Sequence, residues 1–204
     1  MKKILSVLLL FVIGCTPKTT MIEIQKHVYV EKEFKDSWLE MNEFGDSYIK
    51  EELQGGYGYS YDDQYLEIFF NSGGKIELYN YSIKKDNLII SGEMIPPATI
   101  RLVHPHLENV TSEGVIIHEL GHYLHSMNIS EFDNLLGRLS SRKTKLFKNN
   151  KEQQSVAAKI SGYAKTNPRE FVAECFSYMC AGNKLPEDVL KLYKHYKGPT
   201  IPNM

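Results

Sequence analysis

Cysteine is scarce in this 204-residue chain: Cys15, Cys175 and Cys180 are its three, too few for a disulfide-held scaffold. Cys175 and Cys180 lie five positions apart, a spacing that turns their side chains in different directions on a helix, so they read as buried thiols and not as a bridge. Charge of one sign is not in excess either, with 24 Lys and Arg against 25 Asp and Glu, and no basic stripe suggests a nucleic-acid partner. No apolar run approaches the roughly 18 to 20 residues that a membrane-spanning helix needs. Repeats and low-complexity blocks are missing too. What remains is 42% hydrophobic residues, enough for one domain with its own core.

The beginning of the chain has a different character. Met1-Lys2-Lys3 is a positive start, Ile4 to Ile13 an apolar stretch, and Gly14-Cys15 a small residue before a thiol, the pattern of a signal peptide. The cysteine placement resembles the lipobox of bacterial lipoproteins. That resemblance implies cleavage before Cys15, acylation of its thiol and anchorage to a lipid bilayer. Thr16 stands where Gram-negative lipoproteins carry a retention aspartate, which points to the outer membrane. Losing Lys2 and Lys3 leaves 22 of the 24 basic side chains against 25 acidic ones. The expected organisation is a signal peptide over 1–14, a lipidated tether over 15–20 and one domain over 21–204.

Along that domain, Ile22, Ile24, Val28 and Val30 alternate as a strand does, and Phe34, Trp38, Met41, Tyr48 and Ile49 recur at helical spacing. After the Gly55-Gly56-Tyr57-Gly58 break, Tyr65 to Phe70, Lys75 to Tyr79, Leu88 to Ser91 and Thr99 to Val103 read as strands. From about residue 112 helices dominate, including an amphipathic piece from Glu131 to Phe147 and a last helix after Pro186. A small mixed sheet followed by a helical half is an α+β arrangement. Tyr57, Tyr59, Tyr61 and Tyr65 are either a groove lining or ordinary packing.

Chemistry concentrates in His118-Glu119-Leu120-Gly121-His122. Residues four apart on a helix sit roughly 40° out of register and about 6 Å along the axis, so both imidazoles reach one ion. Glu119 is turned to the flank, where a carboxylate serves as general base without occupying a coordination position. Val115, Ile116, Leu120, Tyr123, Leu124 and Met127 give the surrounding apolar stripe, with Ser112 or Thr111 as N-cap. Two nitrogens plus a carboxylate suit one zinc ion better than magnesium or calcium, while cobalt or manganese are able to substitute.

A third ligand has to come from elsewhere. Asn167-Pro168 reads as an N-cap and a first-turn proline, opening a helix to about Ala181 with Gly182-Asn183 as its stop. Glu170 and Glu174 share one face of it, and spacing alone does not choose between them. The helix dipole favours Glu170. His125 is another possible donor, though it leaves the second-helix glutamates unexplained. His104 and His106, flanking Pro105, lack a carboxylate partner and read as loop residues.

Tyr163 to Glu174, Tyr-Ala-Lys-Thr-Asn-Pro-Arg-Glu-Phe-Val-Ala-Glu, taken with His118 to His122, resembles the catalytic domain of anthrax toxin lethal factor and the related bacterial Pro-Pro endopeptidases, gluzincin-like zinc metalloproteases. The resemblance covers about residues 95 to 197. It implies a zincin-like fold with the sheet packed on the active-site helix. It also implies Glu170 as the third ligand, Tyr163, seven residues earlier, as the stabiliser of the transition state, and Glu174 as the partner that fixes a ligand histidine's tautomer. Val172 departs from the family's phenylalanine, which alters packing alone. In such proteases an extended substrate adds to a sheet edge beside the metal, a part that falls to Thr99, Ile100, Arg101, Leu102 and Val103, immediately upstream of the histidine helix.

The expectation is a monomeric, membrane-anchored, extracytoplasmic zinc metalloendopeptidase acting on a protein or peptide substrate. Its rival is an inactive lipoprotein using the same scaffold as a binding or assembly module.

Overall fold

The alternation at the start of the domain becomes a sheet with one apolar and one charged face. The computed structural model describes residues 21–25, 27–32, 62–79, 83–85, 88–90, 92–103, 112–129 and 137–200. Outside them lie the expected leader and tether with Cys15, the helix over 34–49, the glycine break, Tyr57, Tyr59, Tyr61, His104, His106, Thr111 and residues 131–136.

The strands are β1 (Met21–Gln25), β2 (Val28–Glu31), β3 (Lys75–Tyr79), β4 (Ile83–Lys85), β5 (Leu88–Ile90), β6 (Gly92–Ile95) and β7 (Thr99–Val103). Five of them form a mixed sheet in the order β1-β2-β3-β7-β6, while β4 and β5 make a separate two-stranded antiparallel ladder. β2, β3 and β7 run parallel, and the two outer strands are antiparallel to their neighbours. Register aligns Val28, Ile76, Ile100 and Met94 in one row and Val30, Leu78 and Leu102 in the next. These two rows form the core face, and all but the partly buried Met94 are at most 2% exposed.

The helices are α1 (Asp62–Asn71), α2 (Ser112–Asn128), α3 (Gly137–Asn149), α4 (Lys151–Ala157), α5 (Pro168–Cys180) and α6 (Glu187–His195). α2 lies against β6 and β7, and α5 packs along α2. The arrangement is α+β, a mixed sheet with helices on its apolar face. No helix among the described residues is long and apolar enough to cross a membrane.

Three expectations need correction. Tyr65 to Phe70 is helix, not strand: Tyr65, Leu66 and Phe69 are buried while Glu67 and Ile68 face out, a period of 3.6 that six residues are too few to reveal. The helix ends where Gly73 takes φ 82°, its amide donating to Phe70 O while that of Gly74 donates to Phe69 O, a Schellman stop. Met127 is 59% exposed and stands outside the apolar stripe. Thr99, Ile100, Arg101, Leu102 and Val103 are not an edge strand, because β3 and β6 occupy the two sides of β7. Among the described residues the sheet ends instead on β6, a strand that the residue pattern does not predict.

On the opposite face Tyr29, Glu77, Arg101 and Glu93 fall in one row. The Glu77 carboxylate accepts from Lys75 Nζ at 2.6 Å, Tyr79 Oη at 2.8 Å and Arg101 Nε at 3.2 Å. Burial opposes its charge, yet these donors outweigh burial and hold its pKa below the ordinary value. Glu77→Ala removes the acceptor that Lys75, Tyr79 and Arg101 share, so it should lower unfolding free energy by about 1–3 kcal/mol in urea titrations at pH 7. The deficit should shrink as pH falls through the carboxylate range, where the wild type loses the same charge.

Candidate metal centre

The site is built where two helices cross. Gly121 in α2 permits the approach: a Cβ there would lie 3.1 Å from Ala173 Cα and 3.2 Å from Phe176 Cβ in α5. The first turn of α5 is set by Asn167, whose Oδ1 accepts from the amides of Arg169 at 2.9 Å and Glu170 at 3.1 Å, with Pro168 next to it. Together they bring residues 118 and 170 into contact.

His118 Nε2 and His122 Nε2 are 3.1 Å apart, and Glu170 Oε2 lies 3.0 Å from the first and 3.1 Å from the second. Three donor atoms thus make a near-equilateral triangle. Metal bonds of 2.0–2.1 Å in a tetrahedron separate ligand atoms by about 3.3 Å, so the triangle is close to the face such an ion would occupy. Glu119 also brings an oxygen within 4.8 Å of the imidazole donors. His118, Glu119 and His122 form a group that can hold a metal ion, and the Glu170 oxygen lies closer still to both imidazole nitrogens.

Behind the ligands, His118 Nδ1 is 2.9 Å from Glu174 Oε1. This carboxylate holds the proton on Nδ1 and frees the Nε2 lone pair for a metal. Ser161 in turn donates to Glu174 and accepts from the amide of Ala164, tying the 3-10 turn Tyr163–Lys165 to the same network. His122 Nδ1 is buried and has no hydrogen-bond partner among the described residues.

Tyr163 is 53% exposed, its ring 5.8 Å from that of His118 and its hydroxyl in hydrogen-bond reach of Glu170. Partial burial, then the charges of Glu170, Glu119 and Glu174, push its pKa up to about 12. At neutral pH it is therefore a donor. Glu119 is 6% exposed and accepts a hydrogen bond from the backbone amide of Met94 in β6. Burial raises its pKa against the pull of His122 and His118, the direction that suits a proton acceptor working near neutrality.

The charge balance favours a cation as well. Burial disfavours a charged His118, but Glu170 and Glu174 overcome that and raise its pKa to about 10; Glu170 itself is driven well below the carboxylate range by the two imidazoles, despite its burial. Three carboxylates surround two imidazoles, and a divalent ion balances them where protons otherwise must.

The sequence-predicted residues His118, Glu119, His122, Tyr163, Glu170 and Glu174 all meet at this place. His125 does not join them, since its Nε2 donates to Tyr196 O at 2.8 Å. Met94 escapes sequence reasoning because a backbone amide leaves no side-chain signal.

Glu174→Gln should weaken metal binding about 10- to 100-fold in a competition titration with a chromogenic chelator. His125 yields a separate pH prediction: burial first, then the charges of Arg169, His122 and Lys143, with the Tyr196 carbonyl opposing them, hold it at a pKa of about 4 against 6.5 in the unfolded chain. Between those values the unfolded state binds the extra proton, so stability falls as pH drops from about 6.5 to about 4. The loss amounts to on the order of 3 kcal/mol. His125→Gln should flatten that part of the pH profile relative to wild type in urea titrations.

Compared with protein-family models and with curated proteins, the chain matches none.

Proposed function

We propose that this chain is a zincin-like zinc metalloendopeptidase, carried outside the cytoplasm on an acylated Cys15 in a bacterial membrane and cutting internal bonds of a protein or peptide. The observation that carries the reading is the triangle of His118, His122 and Glu170 with an acid and a phenol at its border. The resemblance of residues 118–122 and 163–174 to the lethal factor and Pro-Pro endopeptidase family supports it. So do the Glu174–His118 contact and the burial of Glu119.

His118, His122 and Glu170 would hold the zinc ion, which would supply the Lewis acidity that polarises a carbonyl and makes water a stronger acid. Glu119 takes the proton from the attacking water and returns it to the departing amine. Tyr163, protonated at neutral pH, donates to the developing oxyanion. Its exposure leaves it open to an incoming chain. β6 replaces β7 as the strand where an extended substrate adds, because it ends the sheet and its Met94 amide already touches Glu119.

Glu119→Gln is expected to keep stoichiometric zinc by elemental analysis yet lose at least ~10³-fold in cleavage of a peptide library. Tyr163→Phe should lose about 10- to 100-fold in kcat with KM little changed, and His118→Ala should lose both metal and cleavage. A Glu119→Gln protein that still cuts at the wild-type rate refutes the reading, as does a zinc-loaded wild type without any chelator-sensitive cleavage.

A further inference from the structure

The acid that completes the triangle and the phenol beside it stand at the two ends of one short stretch of chain, Tyr163 to Glu170, and side chains grip the backbone of that stretch at both ends. We propose that Thr166 and Asn167 are positioning residues, the two halves of a bracket that fixes Tyr163 and Glu170 relative to one another. The proposal rests on the reading of Glu170 as a metal ligand and of Tyr163 as the oxyanion donor.

The ligand end depends on a helix cap. Glu170 is the third residue of α5, in the first turn, where amides have no carbonyl one turn back to receive them and helices fray. Each of those amides is accounted for. Pro168 has none, Arg169 and Glu170 donate to Asn167 Oδ1 at 2.9 and 3.1 Å, and Phe171 donates to the Asn167 carbonyl at 3.0 Å. One side chain thus holds the backbone amide of the ligand itself. Without it the first turn is free to open, and the carboxylate that lies 3.0 and 3.1 Å from the two Nε2 atoms moves with it. Glu174 is one turn further in, where the helix's own hydrogen bonds set the backbone, so the cap bears on one acid and not on the other.

The phenol end depends on one peptide unit. Tyr163 is 53% exposed, so packing does little to hold its ring and its backbone has to. The Tyr163 carbonyl accepts from the Thr166 hydroxyl at 2.8 Å and from the Thr166 amide at 3.0 Å. The next amide, that of the fully buried Ala164, donates to Ser161 Oγ at 2.9 Å. Side-chain hydroxyls therefore fix both polar groups of the peptide between Tyr163 and Ala164. Further along, the Lys165 carbonyl accepts from Gln154 Nε2 at 3.2 Å, and the same NH₂ group donates to Phe147 O at 3.3 Å, which moors the turn to α3 and α4.

One grip ends at Thr166 and the next begins at Asn167, with no residue between them. Ligand and phenol accordingly share one stiff backbone, in a reaction where misplacing a group by about 1 Å costs on the order of 10²-fold in rate. The consequences of the two halves still separate, because Glu170 acts on the metal and Tyr163 on the developing oxyanion.

The test reads three quantities on the full chain: zinc affinity by competition with a chromogenic chelator, stability of the metal-free protein in urea, and turnover of a peptide that the wild type cleaves. Asn167→Ala should weaken zinc about tenfold, and Asn167→Ser, which keeps an acceptor and adds no charge, should restore affinity to within about twofold. Asn150→Ala removes the corresponding cap from α4; it should lower stability by a similar amount and leave zinc affinity alone. If Asn167→Ala does not fold, Asn167→Gly, which costs a helix end little but lacks the acceptor, should weaken zinc in the same direction. Thr166→Val should keep wild-type zinc affinity and lower kcat about 3- to 10-fold with KM little changed. Thr166→Ser should recover that loss, and the loss should vanish when Tyr163 is already phenylalanine. Zinc affinity indifferent to Asn167, an equal loss in Asn150→Ala, or a Thr166→Val loss as large beside Tyr163→Phe as in the wild type would overturn the proposal and leave the metal reading standing. A wild type that binds no zinc brings down both.

Discussion

The close approach of α5 to α2 at Gly121 is the contact on which the centre depends. The histidines belong to one helix and Glu170 to another, 48 and 52 positions further along. Their donor atoms meet within 3.0–3.1 Å because a hydrogen side chain lets Ala173 and Phe176 come in where a methyl would crowd them. Around this crossing the core is dense: Leu120, Phe171, Val172 and Phe176 are at most 1% exposed. Burial of that surface positions the ligands, and a proton on His118 balances the carboxylates around it where a divalent cation otherwise would.

The polar parts form one connected support. Met94 reaches Glu119 from the last strand of the sheet, Glu174 holds His118 from behind, and Ser161 links Glu174 to the turn that carries Tyr163. The row Glu77, Arg101 and Glu93 on the far face pins β6 to β7 through the 3.6 Å contact of Arg101 with Glu93. In this way the outer face of the sheet bears on where the Met94 amide stands. At the start of α5 Asn167 caps the turn that presents Glu170.

Both site helices are legible from the residues because their signals are local. An i, i+4 histidine pair inside an apolar stripe and an Asn-Pro opening with a Gly stop specify helix and face without reference to the rest of the chain. The choice between Glu170 and Glu174 is not local; it takes the family resemblance, and the structure places Oε2 of the first, not the second, against both Nε2 atoms. Strand order is hidden for the same reason. Gly92 to Ile95, to which the residue pattern assigns no strand, doubles back on β7 and takes the edge expected of Thr99–Val103. Tyr65 to Phe70 has the look of a strand since aromatic and branched residues dominate a short run, while the decisive signal, Gly73-Gly74, lies just beyond it.

The central claim is that His118, His122 and Glu170 hold one cation together. Crystals grown with zinc and measured on both sides of its absorption edge test it most directly, since the anomalous difference places the ion without reference to any mechanism. One peak about 2.0–2.2 Å from His118 Nε2, His122 Nε2 and a Glu170 oxygen is the result the account predicts. A peak bound by the histidines without Glu170, or none there while zinc sits elsewhere in the molecule, would contradict it.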